Sequence, residues 1–80
     1  MKNITLDVKK IFSKTLKIPI ASTNNGLSYI KSDNWDSLNH MKLVAQIEKK
    51  FKIQLLMKDV IDMSTFSKTL KIINKYLKKK

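Results

Sequence analysis

The chain has 80 residues, enough for one small domain, which we predict to span residues 1–80. It contains no Cys and one His, which excludes disulfides and thiolate metal sites and argues against a His-based metal site. No secretory leader and no membrane-spanning run is predicted, so that a cytoplasmic protein is expected.

The net charge of +11 has several possible meanings. Electrostatics alone favours nucleic acid, anionic lipid or an acidic partner. All 17 basic residues are Lys, and the absence of Arg argues against sequence-specific DNA recognition. Abundant Lys, Asn and Ile also fit a coding bias toward A and T, which would make part of the charge incidental.

A first helix is predicted over residues 3 to about 17. Its apolar residues recur at three- and four-residue steps, with lysines facing away; they are Ile4, Val8, Ile11, Phe12 and Leu16. Asn3 or Thr5 is expected to cap this helix, and Pro19 prevents it from continuing.

Residues 18 to 35 form a long predicted loop. A turn cluster over residues 22–26 contains the only Gly, at position 26. Four apolar residues are too many for a free linker, and we expect them to fold back over the helix ends; they are Leu27, Tyr29, Ile30 and Trp35.

The central predicted helix covers residues 37–51 and places a hydroxyl at its N-terminal tip. Asp36 is a good N-cap, because its carboxylate can accept hydrogen bonds from the N–H groups of the first turn. Ser37 then occupies the first helical position, where the helix dipole and free N–H groups favour an attached phosphate.

The apolar sector of this helix is wider than one core surface requires. Leu43, Val44, Ile47 and Phe51 cover one side, and three more apolar residues continue round it: Leu38, Met41 and Ala45. The polar strip consists of Asn39, Lys42, Gln46, Lys49 and Lys50. Such a helix either lies between two others or keeps one flank for a partner or ligand.

The remainder of the chain predicts two more helices. Residues 52–55 alternate and are expected to be extended, and residues 56–62 form a short helix. Ser64 or Thr65 then caps a last helix. Its apolar row is Phe66, Leu70, Ile73 and Leu77, with Lys68, Lys71, Lys75 and Lys79 on a solvated face. The predicted fold is therefore all-α, a small antiparallel bundle of three main helices plus one short helix, with a long first loop.

The chain resembles the acyl carrier proteins at the start of its central helix. There Asp36-Ser37-Leu38 follows a loop and precedes an apolar helix that ends in Ile-Glu-Lys-Lys-Phe. The resemblance covers essentially the whole chain. It implies that Ser37, beside Asp36, carries a covalent 4′-phosphopantetheine arm holding acyl or aminoacyl cargo as a thioester. The implied partners are a phosphopantetheinyl transferase, acyl- or aminoacyl-loading enzymes and acyl-transfer enzymes. The implied partner-binding residues are Leu38, Asn39, Met41, Lys42, Ala45, Glu48 and Lys49.

Two departures from the general fatty-acid carriers favour a specialised pathway. Those carriers usually present an acidic second helix, whereas lysines occupy the strip here and only Glu48 is acidic. Trp35 also replaces the small residue that typically precedes the Asp. The resemblance implies a monomer that binds neither nucleic acid nor, stably, membranes.

Ser37 is not predicted to be a catalytic nucleophile, since no nucleophile-elbow glycines surround it, and the chain is predicted not to be an enzyme. A basic helical module that binds nucleic acid is the alternative function. The third hypothesis is a Lys-rich protein that binds membrane surfaces through residues 76–80.

Overall fold

Four α-helices make up most of the part of the chain that the structure, a computed structural model, describes: residues 4–24 and 26–78. They are α1 (Thr5–Leu16), α2 (Ser37–Phe51), α3 (Met57–Asp62) and α4 (Phe66–Lys78). The predicted bundle of three main helices, one short helix and a long first loop is confirmed. Within the described ranges no helix has the length and apolarity needed to cross a membrane.

Aromatic rings form the centre of the core. Phe12 contacts Trp35 and Phe66 edge to face, with ring centroids 5.1 Å apart in both pairs, an arrangement that aromatic rings favour. Aliphatic side chains of all four helices surround these rings, as their helical spacing predicts. The buried apolar residues are Ile4, Val8, Phe12, Leu16, Trp35, Leu43, Val44, Ile47, Leu55, Val60, Met63, Phe66, Ile72 and Ile73.

The ends of α1 differ from the prediction. Thr5 lies inside the helix and the preceding residue, Ile4, makes no side-chain cap, so a cap by Thr5 is wrong; Asn3 lies outside the described residues. The helix ends at Leu16, and the left-handed backbone of the next residue, Lys17 (φ 57°), takes the place that Gly usually fills. Lys52, directly after α2, has the same conformation.

The long loop packs back onto the bundle as expected, with one exception. Trp35 is 1% exposed, and Leu27 and Tyr29 are half-buried. Ile30 is 91% exposed, so its predicted burial is wrong. Two backbone hydrogen bonds attach the loop to the start of α4, from Tyr29 N to Ser64 O (2.8 Å) and from Phe66 N to Leu27 O (3.0 Å). The bonded residues are more than 30 positions apart in the sequence, so that no local pattern predicts these hydrogen bonds.

A buried carboxylate joins α3 to α4. Asp59 is 4% exposed; it accepts hydrogen bonds from Lys75 Nζ (3.0 Å) and from the Tyr76 hydroxyl (2.5 Å). The Tyr76 hydroxyl in turn accepts one from Leu56 N (2.8 Å) at the start of α3. Lys75 is exposed, as predicted for the solvated face, with 46% of its side chain accessible; its ion pair with Asp59 was not predicted. Thr65 caps α4 as predicted, its hydroxyl accepting from Lys68 N (3.0 Å).

The hydrogen bonds from Tyr76 and Lys75 lower the pKa of Asp59 below its ordinary value, against the opposing effect of burial. Burial, followed by the hydrogen bond to Asp59, raises the pKa of the Tyr76 phenol, which keeps it protonated as a donor. A carboxyl group with a lowered pKa in the folded state stabilises the fold above its unfolded-state pKa. That contribution is lost as pH falls through the folded-state value.

Replacement of Asp59 by Asn should therefore lower the free energy of unfolding by about 2 kcal/mol at neutral pH, since two hydrogen bonds lose their charged acceptor. The difference between wild type and Asp59→Asn should shrink below about pH 4, where the unfolded carboxyl group begins to take up protons. Urea unfolding of both proteins at several pH values measures this difference in the free energy of unfolding. Asp62→Asn, at an exposed position of the same helix, is the control. A difference that stays constant down to pH 3 would contradict this account.

Candidate attachment site at the start of α2

The start of α2 is built as the sequence predicts. Asp36 has an extended backbone, and its Oδ1 accepts a hydrogen bond from Asn39 N at 2.8 Å. The Asp36 carbonyl accepts the first intrahelical hydrogen bond, from His40 N at 2.8 Å. Asp36 is therefore the N-cap and Ser37 the first helical residue, which confirms both positions.

Ser37 presents its hydroxyl at the surface. The residue is exposed, and its Oγ lies 3.2 Å from the hydroxyl of Tyr29. The N–H groups of Ser37 and Leu38 precede the first intrahelical hydrogen bond and lie at the positive end of the helix dipole. A phosphate esterified to this hydroxyl would therefore meet backbone donors and a phenol, so the residues present fit a phosphate-linked group.

A side-chain relay fixes the elements around Ser37. Trp35 Nε1 donates to His40 Nδ1 at 2.9 Å, and the two rings are stacked at 25°. Because Nδ1 accepts this hydrogen bond, Nε2 is the ring nitrogen that donates, to the carbonyl of Val60 at 2.7 Å. The relay joins the long loop, α2 and α3. Sequence analysis assigned His40 no role, because neither partner is recognisable from local spacing.

The relay also bears on catalysis by Ser37. Activation of a serine nucleophile requires a base that accepts its proton. Both ring nitrogens of His40 are engaged elsewhere, and the Ser37 hydroxyl lies within hydrogen-bonding distance of the Tyr29 phenol, which is not a base that could accept its proton. The geometry therefore suits attachment of a group to Ser37 better than nucleophilic attack by it.

An apolar cleft of about 310 Å³ opens beside Ser37, between α2 and α3. Three exposed side chains contribute to it, namely Met41 (51% exposed), Met57 (66%) and Ile61 (70%). The complete lining is Tyr29, Ser37, His40, Met41, Met57, Val60, Ile61, Met63 and Ser64. Sequence analysis missed Met57 and Ile61; their exposure follows from the orientation of α3, which the relay and the Asp59 contacts fix.

The predicted partner-binding residues fall into two groups. Five of them are exposed along one flank of α2, and we call these five the docking face: Leu38, Met41, Lys42, Ala45 and Lys49. The other two are half-buried and bonded within the chain. Asn39 Nδ2 donates to Asn34 O at 2.7 Å, and Glu48 Oε2 accepts from Leu55 N at 2.9 Å. Glu48 therefore holds the segment that leads into α3.

Comparison with known proteins finds relatives that match nearly the whole chain. The acyl carrier protein of Buchnera aphidicola subsp. Schizaphis graminum (strain Sg) is 33% identical over 79 residues, covering 99% of this chain and 100% of the relative. The acyl carrier protein of Buchnera aphidicola subsp. Acyrthosiphon pisum (strain 5A) is 34% identical over 80 residues, again covering 99% and 100%. No family model matches. These full-length relatives, together with the helical bundle, show that the chain belongs to the acyl carrier protein family, whose members are carriers and not enzymes.

Proposed function

We propose that this chain carries acyl or aminoacyl cargo as a thioester on a 4′-phosphopantetheine arm attached to Ser37. The observation that supports it is the exposed Ser37 hydroxyl, held at the first position of a capped helix beside an apolar cleft. When bound, the arm would supply the thiol that this Cys-free chain lacks.

The neighbouring residues would position the arm and its cargo. Asp36 fixes the first turn of α2, and the Tyr29 hydroxyl lies within hydrogen-bonding reach of Ser37 Oγ. The side chains of Met41, Met57 and Ile61 give the adjacent cleft an apolar surface, on which a hydrocarbon cargo would be removed from water. Thioether side chains adapt to different shapes, which suits a carrier that accepts more than one chain length.

The docking face would bind the phosphopantetheinyl transferase and the enzymes that load and remove cargo. It combines the apolar side chains of Leu38, Met41 and Ala45 with the charges of Lys42 and Lys49. Since like charges across an interface oppose binding, partners with acidic or largely apolar surfaces fit this face. The basic α2 therefore favours a specialised pathway over general fatty-acid synthesis. We further propose that the protein acts as a monomer in the cytoplasm.

Intact-mass measurement after incubation with coenzyme A and a broad-specificity phosphopantetheinyl transferase tests this function. The expected result is an increase by the mass of one arm per chain. The alternative function, nucleic-acid binding, is tested in parallel by titrating duplex DNA at low and high salt. An unchanged mass together with tight, salt-sensitive DNA binding would overturn the carrier proposal and favour the alternative.

A further inference from the structure

A second concave surface lies on the side of the bundle between α1 and α2. It is a groove of about 650 Å³, lined by Asp7, Lys10, Ile11, Lys14, Thr15, Lys17, Lys42, Ala45, Gln46 and Lys50. Ile11, which is half-buried, and Ala45, which is exposed, provide apolar surface within it. None of the residues that line the cleft beside Ser37 lines this groove.

The charge of the groove is strongly one-sided. Two lysines come from α1, one directly follows it and two come from α2, against a single acidic residue, Asp7; the lysines are Lys10, Lys14, Lys17, Lys42 and Lys50. Within residues 4–24 and 26–78, the ion pair that forms joins Lys75 to Asp59, and neither of these residues lines the groove. None of the five groove lysines takes part in an ion pair there. Their charges therefore remain available to an anionic partner.

The shape and chemistry of the groove favour a protein partner over other anions. The lining contains neither an aromatic ring nor an Arg guanidinium on which a base could stack, which disfavours single-stranded nucleic acid. A peripheral membrane helix buries outward-facing apolar side chains in the lipid interface, whereas here the apolar surface lies in a groove between helices. A lysine-rimmed apolar groove matches an amphipathic helix with acidic flanks.

We propose that the α1–α2 groove binds an acidic amphipathic helix of a partner protein. The apolar stripe of that helix would lie on Ile11 and Ala45, and its carboxylates would face the lysines of the two walls. Because Lys42 and Ala45 also belong to the docking face, the groove extends that face from α2 onto α1. The proposal concerns a binding surface and does not require the arm on Ser37.

Fluorescence anisotropy with a labelled peptide tests the proposal. The probe is a helical peptide with a leucine stripe flanked by glutamates, and the protein is the full chain carrying Ser37→Ala, so that failure of Ser37 modification cannot affect the result. The expected result is saturable binding that weakens as salt is raised. Adding Lys10→Glu and Lys14→Glu should weaken binding at least about tenfold, since two attractive charges become repulsive.

The matched control carries Lys68→Glu and Lys71→Glu, the same charge change at exposed positions of α4. It should weaken binding by less than about threefold, because screening reduces the effect of charges distant from the groove. Ala45→Glu, which places a negative charge in the groove without removing a lysine, should also weaken binding. Equal losses in the α1 and α4 variants, or equal binding of a peptide with the same composition but no leucine stripe, would overturn the proposal. So would the absence of peptide binding when duplex DNA or vesicles containing anionic lipid bind instead.

Discussion

Trp35→Ala should lower the free energy of unfolding by about 3–5 kcal/mol, the cost of truncating a large buried aromatic side chain. Trp35 is 1% exposed and contacts Phe12 edge to face. Its loss also removes the donor that holds His40 in the relay to Val60. A domain of this size has about 4–12 kcal/mol of total stability, so the variant should be largely unfolded at moderately raised temperature.

Thermal and urea unfolding followed by far-UV circular dichroism measure this effect. Trp35→Phe is the informative control, because it keeps an aromatic ring in the core while removing the indole donor and part of the ring volume. It should cost about 1–3 kcal/mol, from the unsatisfied Nδ1 of His40 and a small loss of packing. A loss below about 1 kcal/mol in Trp35→Ala would show that the loop contributes little to the core.

Ser37→Ala should abolish modification by the transferase and leave the fold intact. The hydroxyl of Ser37 is the proposed point of attachment, and within residues 4–24 and 26–78 no other hydroxyl occupies the first position of a helix with a side-chain cap. Stability should change by less than about 0.5 kcal/mol, because the residue is exposed and Asp36 still caps α2. The helical circular dichroism signal should likewise be unchanged.

Ser32→Ala is the matched control for this prediction, since Ser32 lies five residues earlier in the loop. That variant should be modified at the wild-type rate. Modification of Ser37→Ala at the wild-type rate would contradict the assignment. Loss of modification in both variants would also contradict it, because the effect would then not be specific to Ser37.

Local chemistry explains what could be predicted from the sequence. The start of α2 follows from Asp36 and Ser37 alone, since an N-cap acts on N–H groups within three residues of itself. The core-facing rows of α1 and α4 follow from helical periodicity, which depends only on spacing. These two signals were sufficient to predict the bundle and the position of the exposed hydroxyl.

The features that sequence analysis missed depend on residues distant in the chain. His40 bonds to Val60, and Asp59 to Lys75 and Tyr76, at separations of 16 to 20 residues. Neither His40 nor Asp59 belongs to a recognisable motif. From charge and periodicity, Lys75 is expected only to face solvent. These contacts orient α3, and the apolar cleft beside Ser37 depends on that orientation.

Helix ends were also difficult to predict where the usual residue is absent. Lys17 and Lys52 adopt the left-handed conformation for which Gly is preferred, so that composition gave no signal at either position. Ile30 shows the opposite problem, because apolar character indicated burial where the structure leaves the side chain in water. Single exposed apolar residues are common on protein surfaces, and only the path of the loop decides which ones are buried.

Peptide mass mapping of the modified wild-type chain tests the central claim most directly. After incubation with coenzyme A and the transferase, cleavage following Lys31 and Lys42 releases the segment 32–42, which contains Ser32 and Ser37. The predicted result is one arm on this segment, located at Ser37 by fragmentation. An arm at Ser32 or on any other segment, or no arm at all on a folded chain, would contradict the account.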